Sequence, residues 1–349
     1  MGANRMKLGI IARSDNTGLG NQTKELVEML KPDKVMLINS ASFNKNKQYP
    51  DRYNEYNCQY VRGFPGTEEI RAFLKNLDAV LTCETFYSNT FVSLAKRHGV
   101  KTFLQYNYEF LDYLQRPNQE LPDTMIAPSL WGFEDIVDKF GSKSNIVHLP
   151  PPTTPDLFSK VKLNNISKNH KRLLHIGGKA ATFDRNGTNT VVEMLKYSKA
   201  DYELVIKSQS VLNIKCNDPR LTIEIANPEN REDMYNGFDA MVLPRRYAGL
   251  CLPMNEALMS GLPVFMTKIS PNNTILPENW LVESNKINQF HAKTIIDVYD
   301  GNTKLLAKLV DEYMENSNKV EQKQKAFDIG MNNFATENLK QKYLDILEK

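Results

Sequence analysis

The sequence predicts an α/β protein made of two Rossmann-like domains. Three observations predict it. The chain has 349 residues, enough for two domains with cores of ordinary size. Short apolar runs alternate with helical segments, first over the opening 150 residues and again from residue 172. Such alternation argues for parallel sheets with helices on both faces. A stretch rich in Pro, Asn, Ser and Lys, residues 150–171, lacks periodicity and separates the two series. The expected domains are therefore 1–152 and 172–332, joined by a linker at 153–171.

In the first series, residues 8–12, 34–38, 79–82, 102–105, 124–127 and 146–149 read as strands. Residues 23–30, 67–76 and 91–98 read as helices between them. In the second series, 172–176, 202–206 and 221–225 are strands, and 188–196 and 231–236 are helical. Residues 303–349 are helical and charged. No internal repeat, coiled coil or low-complexity tail is present.

Composition narrows the function classes. The apolar share of 41% and charged share of 24% are ordinary for a globular protein, and the net charge of +3 predicts no nucleic-acid partner by itself. No apolar run approaches the ~20 residues of a membrane span. Residues 1–5 lead directly into a strand, so no secretory signal is expected, and Met6 is an alternative start. The four cysteines are scattered without metal-type spacing, so free thiols in a reducing cytoplasm are expected, with no metal.

The most informative stretch is DAMVLPRRYAGLCLPMNEALMSGLPVFMT, residues 239–267. It reads strand, tight loop, short helix, strand. Pro244 ends the first strand, and Pro253 suits the first helical turn. Gly261 stops the helix, and Pro263 follows. The loop around Gly249 brings backbone N–H groups and a helix N-terminus together, a disposition that binds anions and above all phosphate. Glu256 is expected in the first turn of that helix, where a carboxylate can accept from two ribose hydroxyls. Together these suggest a nucleotide diphosphate site.

Two loops of the first series end on candidate chemistry. Glu84 follows one strand, and Tyr106, Asn107 and Glu109 follow the next; loops at the carboxyl ends of parallel strands line binding sites. Glu84 and Glu109 are the available carboxylates for holding an acceptor hydroxyl or taking its proton. Trp131, after residues 124–127, is a further acceptor-side candidate. The run Gly18-Leu19-Gly20 lacks the third glycine of a dinucleotide fingerprint.

The 239–267 segment resembles the donor-binding motif of retaining GT-B glycosyltransferases of the family 4 type, within the glycogen synthase and phosphorylase-like superfamily. Pro244, Tyr247, Gly249, Leu252, Pro253, Glu256, Ala257, Gly261, Pro263 and Val264 all fall on the motif. The resemblance implies two domains facing a cleft, with residues 333–349 crossing back to the first. It implies that Glu256 binds the nucleotide ribose, with Gly249, Leu250, Cys251, Leu252 and Arg245 at the donor. It places Lys179 and Arg185 on the diphosphate, the second role also aligning with Asn186, and Gly18, Leu19 and Gly20 beneath it. Arg245 replaces the family Ser, Ala248 replaces the first Glu of the motif, and Tyr106 or Asn107 stands where relatives carry a His. The nucleotide half of the motif is intact and the sugar half altered.

The implied activity is sugar transfer from a nucleotide sugar, UDP being the commonest in the family, without a metal or a permanently bound cofactor. Two acceptor classes stay open: a saccharide or small metabolite, and a hydroxymethylated DNA base. For DNA, Arg52 and Tyr53 would supply charge and stacking within a track of Lys45, Lys47, Arg62, Arg245 and Arg246. A nucleotide-sugar epimerase and an inactive nucleotide-binding protein are the alternatives.

Overall fold

Strand β1 (Leu8–Arg13) is apolar over most of its length and buried at every position, as a strand covered on both faces requires. It begins a computed structural model in which residues 5–116, 119–178, 182–225, 228, 230–247 and 249–349 are described. Lys179 and Ala248 lie outside the described residues. The chain divides into two units: residues 1–152, 292–294 and 336–349 form the first, and 153–291 with 295–335 form the second.

In the first unit, α1 (Gly18–Leu30), β2 (Lys34–Asn39), the short α2 (Ala41–Asn44) and β3 (Cys58–Arg62) follow β1. Then come α3 (Thr67–Leu74), β4 (Ala79–Cys83), α4 (Phe91–Arg97), β5 (Lys101–Gln105), β6 (Thr124–Ala127), α5 (Phe133–Phe140) and β7 (Asn145–His148). The seven strands pair in the order β3-β2-β1-β4-β5-β6-β7, every pair parallel. Alternation on β1 sends Ile11 into one core, with Val80 and Leu104, and Leu8, Ile10 and Ala12 into the other, with Leu26 and Leu81. The chain order reverses direction between β1 and β4, so the crevice beyond their carboxyl ends is the switch point where open sheets bind ligands.

The second unit opens with α6 (Pro155–Ser167). This segment was expected as an aperiodic linker. It is a helix because Pro155 suits its first turn and Phe158, Val161 and Asn165 form a buried stripe at helical spacing. The stripe is narrow, and the Asn, Ser and Lys around it hide it in the sequence. Next come β8 (Arg172–Gly178), α7 (Thr188–Met194), β9 (Glu203–Ser208), β10 (Leu221–Ile225), β11 (Ala240–Leu243), α8 (Leu252–Met259) and β12 (Val264–Thr267). The short α9 (Asn272–Ile275) and β13 (Leu281–Val282) follow. The six strands run β10-β9-β8-β11-β12-β13, again all parallel, with the switch point between β8 and β11.

An antiparallel hairpin of β14 (Ser284–His291) and β15 (Ile295–Gly301) stands apart from that sheet. Helices α10 (Thr303–Glu315) and α11 (Lys319–Phe334) complete the second unit, and α12 (Thr336–Leu347) belongs to the first. Its Leu339, Tyr343 and Leu347 are buried in the same core as Leu8 and Ile10. Among the described residues, no helix is long and apolar enough to cross a membrane.

Candidate functional site

The second unit brings two loops together at its switch point. The first, after β8, carries Arg185; the second, after β11, carries residues 244–251. Gly187, with φ of +72°, lies against the second loop: a Cβ there would lie 2.3 Å from the Pro244 carbonyl oxygen, so only glycine fits. The Arg246 backbone N–H donates to the Arg185 carbonyl (2.9 Å), and the Arg185 guanidinium lies over the Tyr247 ring, 5.0 Å from its centroid. Two segments distant in the sequence thus share one site. Lys179, expected to partner Arg185, lies outside the described residues.

Buried Gly249, with φ of +149°, allows the chain to turn into α8 behind Cys251, and Pro253 occupies its first turn. Leu250 and Leu252 are half-buried. Arg245, expected at the mouth of the donor site, is buried instead at 5% exposure, donating to the Leu250 carbonyl (3.2 Å). It braces the loop from within, because its guanidinium finds a carbonyl of the turn it encloses. Arg246 also turns inward, donating to the carbonyls of Phe183 (2.8 Å) and Tyr299 (3.3 Å).

Glu256 is not in the first turn of α8 but one turn further on, since the helix begins at Leu252. Its carboxylate is buried, accepting from the Tyr235 hydroxyl (2.6 Å) and facing the Arg231 guanidinium (3.2 Å). Burial pushes its pKa above the ordinary carboxylate range, against the Arg231 charge and the Tyr235 hydrogen bond. A carboxylate has about four lone-pair positions, so these partners leave acceptor capacity for ribose hydroxyls. Arg231 and Tyr235 escape the sequence reading because no spacing links them to Glu256.

His175 on β8 underlies the loops. Its Nδ1 donates to the Val242 carbonyl (2.8 Å), so the neutral ring accepts at Nε2 from the Thr188 hydroxyl (2.9 Å). Complete burial lowers its pKa to about 4. Neutral His175 therefore ties β11 and the start of α7 to β8.

In the first unit, Glu84 directly follows β4 with a left-handed backbone (φ +66°), an uncommon conformation for a residue other than glycine. Its carboxylate accepts from Asn107 Nδ2 (2.9 Å) beyond β5. Burial raises its pKa, opposed by the Asn107 hydrogen bond and the Arg13 charge. Buried Arg13, the last residue of β1, pairs with Asp15, whose carboxylate also accepts from Ser40 and Thr17. Burial pushes the Asp15 carboxyl up, but those hydrogen bonds and Arg13 hold it below its usual range. Arg13 and Asp15 were not selected from the sequence; two opposite charges directly after a buried strand were the available signal. Glu109 is buried, and half-buried Trp131 packs edge-on against Tyr108 (5.2 Å).

Other expected site residues stand in regular structure or in the core. Gly18, Leu19 and Gly20 form the first turn of α1, and the Gly20 N–H donates to the capping Thr17 hydroxyl (3.3 Å). A Cβ on Gly20 would lie 2.0 Å from the Asp15 carbonyl oxygen, so this glycine serves close packing. Tyr53 is a core residue, 1% exposed, with its hydroxyl on the Arg13 carbonyl (3.1 Å), and it presents no stacking face. Tyr106 is likewise in the core, 1% exposed. Arg52 lies over the Tyr49 ring (4.5 Å).

Among the described residues, no group of three His, Cys, Asp or Glu is disposed to hold a metal ion. No protein-family model and no curated protein sequence matches the chain. Solved structures do resemble it. HepE of Anabaena in complex with UDP and glucose superposes with a TM-score of 0.70 at 10% identity, covering 98% of this chain and 99% of that one. A glycosyltransferase from Rickettsia africae ESF-5 gives 0.70 at 13% identity, covering 99% and 98%. An alpha-glucosyltransferase in complex with UDP-glucose and DNA containing an abasic site gives 0.64 at 10% identity, covering 99% and 100%. Two all-parallel sheets of seven and six strands, flanked by helices and matched over nearly the whole chain by these structures, establish the two-domain GT-B fold.

Proposed function

We propose that the chain is a glycosyltransferase that moves a sugar from a nucleotide sugar, UDP-linked, to a hydroxyl of a saccharide or small metabolite. The observation that carries this reading is the union of the Arg185 loop with the 244–251 loop at the switch point of the second sheet, leading into the N-terminus of α8. The UDP and UDP-glucose named with HepE and the alpha-glucosyltransferase support it.

In this mechanism the α8 N-terminus and Arg185 meet the diphosphate, and the motif assigns Lys179 to the same role. They stabilise the negative charge that grows on the leaving nucleotide as its bond to the sugar breaks. Glu256 accepts from the ribose hydroxyls, each such bond worth on the order of 1.5–3 kcal/mol. Cations and backbone donors provide this stabilisation without a metal, and the sugar passes from the departing nucleotide to the acceptor oxygen with its configuration retained. On the acceptor side, Glu84 is the group we assign to the incoming hydroxyl. Its raised pKa favours accepting a proton, and Asn107 fixes its orientation. Glu109, Asn107 and Trp131 complete that side.

A saccharide or metabolite acceptor is preferred to DNA because the DNA track loses members: Tyr53 and Arg245 are buried, and Arg246 is engaged by carbonyls. The four free cysteines accord with a cytoplasmic setting. The test incubates the chain with UDP-sugars and candidate saccharide acceptors and follows UDP release. Acceptor-dependent release, with the product anomer read by NMR, supports transfer. Release of a rearranged sugar without acceptor would identify an epimerase, and no turnover with any pair would contradict the reading.

A further inference from the structure

Arg185 is presented by a strained turn. Phe183 and Asp184, neither of them glycine, both have left-handed backbones, with φ of +54° and +51°. Such conformations persist only where the surroundings hold them. Part of the hold is local: the Asp184 carboxylate accepts from the N–H groups of Thr188 (3.0 Å) and Asn189 (2.8 Å). A second contribution comes from the β14–β15 hairpin, which adds no strand to the six-stranded sheet.

The hairpin reaches the turn in two ways. Phe290 on β14 packs against Phe183 (5.6 Å between centroids) and edge-on against Tyr247 (5.1 Å), and Tyr247 is the ring under the Arg185 guanidinium. Arg246 forms the second link. Its backbone exchanges bonds with both segments: its N–H donates to the Arg185 carbonyl (2.9 Å) and its carbonyl accepts from the Tyr299 N–H (2.6 Å). Its guanidinium spans the same gap, from the Phe183 carbonyl (2.8 Å) to the Tyr299 carbonyl (3.3 Å), with Asp300 at 3.7 Å. Every contact of this clamp lies inside the second unit.

We propose that the β14–β15 hairpin, through Phe290 and Arg246, is a positioning clamp that holds Arg185 where it meets the diphosphate. Phe290 and Arg246 are positioning residues: they act through Arg185 and touch no substrate. The proposal rests on the assignment of Arg185 to a nucleotide diphosphate, and the experiment separates the two. A planar guanidinium bridging two carbonyls cannot be replaced by a lysine point charge, so Arg246→Lys releases one arm of the clamp while keeping the charge. Phe290 is half-buried, so its truncation leaves the core intact.

The experiment is calorimetric titration of UDP and of uridine into the parent chain, Phe290→Ala, Phe290→Leu, Arg246→Lys, Arg185→Ala and the double variant Arg185→Ala/Phe290→Ala, with thermal melting to verify folding. Phe290→Ala and Arg246→Lys are expected to weaken UDP roughly three- to tenfold and to leave uridine unchanged. Phe290→Leu, which keeps an apolar contact, is expected to restore most of the loss. In the Arg185→Ala background, Phe290→Ala is expected to have no further effect on UDP. A full additional loss there, an equal loss for uridine, or no loss in Phe290→Ala and Arg246→Lys would overturn the clamp. If the parent fails to bind UDP, or Arg185→Ala binds it as tightly as the parent, the diphosphate assignment falls and the clamp with it.

Discussion

His175 has no route to water, and its two ring nitrogens are both committed, so its protonation state is a structural variable. The unfolded chain protonates it near its ordinary value of 6.5, the folded chain only near 4. Between those values the unfolded state binds more protons, so its contribution to stability is complete above pH 6.5 and is lost as pH falls toward 4. The expected loss by pH 4.5 is about 2–3 kcal/mol. Urea unfolding of the parent and His175→Gln at pH 7.5 and pH 4.5 checks this. The stability difference between the two proteins should shrink by that amount at the lower pH; an unchanged difference would contradict the neutral buried ring. At this scale the sequence was least legible. Glu256, Arg185 and Gly249 stood out because motif spacing marks them, whereas Tyr53 looked like a surface aromatic among cations. Its burial depends on a carbonyl at Arg13, 40 residues away, which no local pattern reveals.

Helix α11 is fixed to the second unit by a buried ion pair. Lys323 Nζ lies 2.6 Å from Asp239 Oδ1, with side chains 1% and 0% exposed, and also donates to the carbonyls of Asn165 (2.6 Å) and Lys168 (2.8 Å). One residue thus joins α11, α6 and the chain entering β11. Removing one partner leaves a buried charge, so Lys323→Met is expected to cost about 3–5 kcal/mol in urea unfolding. Adding Asp239→Asn should recover part of it, and a loss below about 1 kcal/mol would contradict the pairing. Elements were legible where their periodicity survives. The parallel strands are continuous apolar runs: β4 matches the expected 79–82 to one residue, and α1 matches the expected 23–30 at its C-terminal end but begins five residues earlier, at Gly18. Strand β3 was missed because it is an edge strand whose Tyr60 and Arg62 face solvent. The hairpin was missed because β14, SNKINQFH, is mostly exposed and a register shift between Lys286 and Asn288 breaks its alternation.

The whole chain repeats one architectural solution. Each unit is an open parallel sheet whose strand order reverses at an interior pair of strands, β1 with β4 and β8 with β11, and the candidate chemistry follows the carboxyl ends of those strands. The chain first enters the second unit at Thr153 and finally leaves it after Ala335, and the Thr153 N–H donates to the Phe334 carbonyl (2.8 Å), so this first entry and last exit are neighbours. The two-domain class was legible because alternation and one dense motif agree across many residues. The acceptor was not, because it depends on loop side chains that no period constrains. The central claim is that the second unit holds a nucleotide diphosphate, its ribose on Glu256. Calorimetry of UDP and uridine against the parent and Glu256→Gln tests it most directly, since glutamine keeps the shape and an acceptor for Tyr235 while removing the charge. Because both ligands carry the ribose, both are expected to bind the variant roughly tenfold more weakly, about 1.4 kcal/mol. Unchanged affinity for both, in a variant that melts as a folded protein, would contradict the assignment.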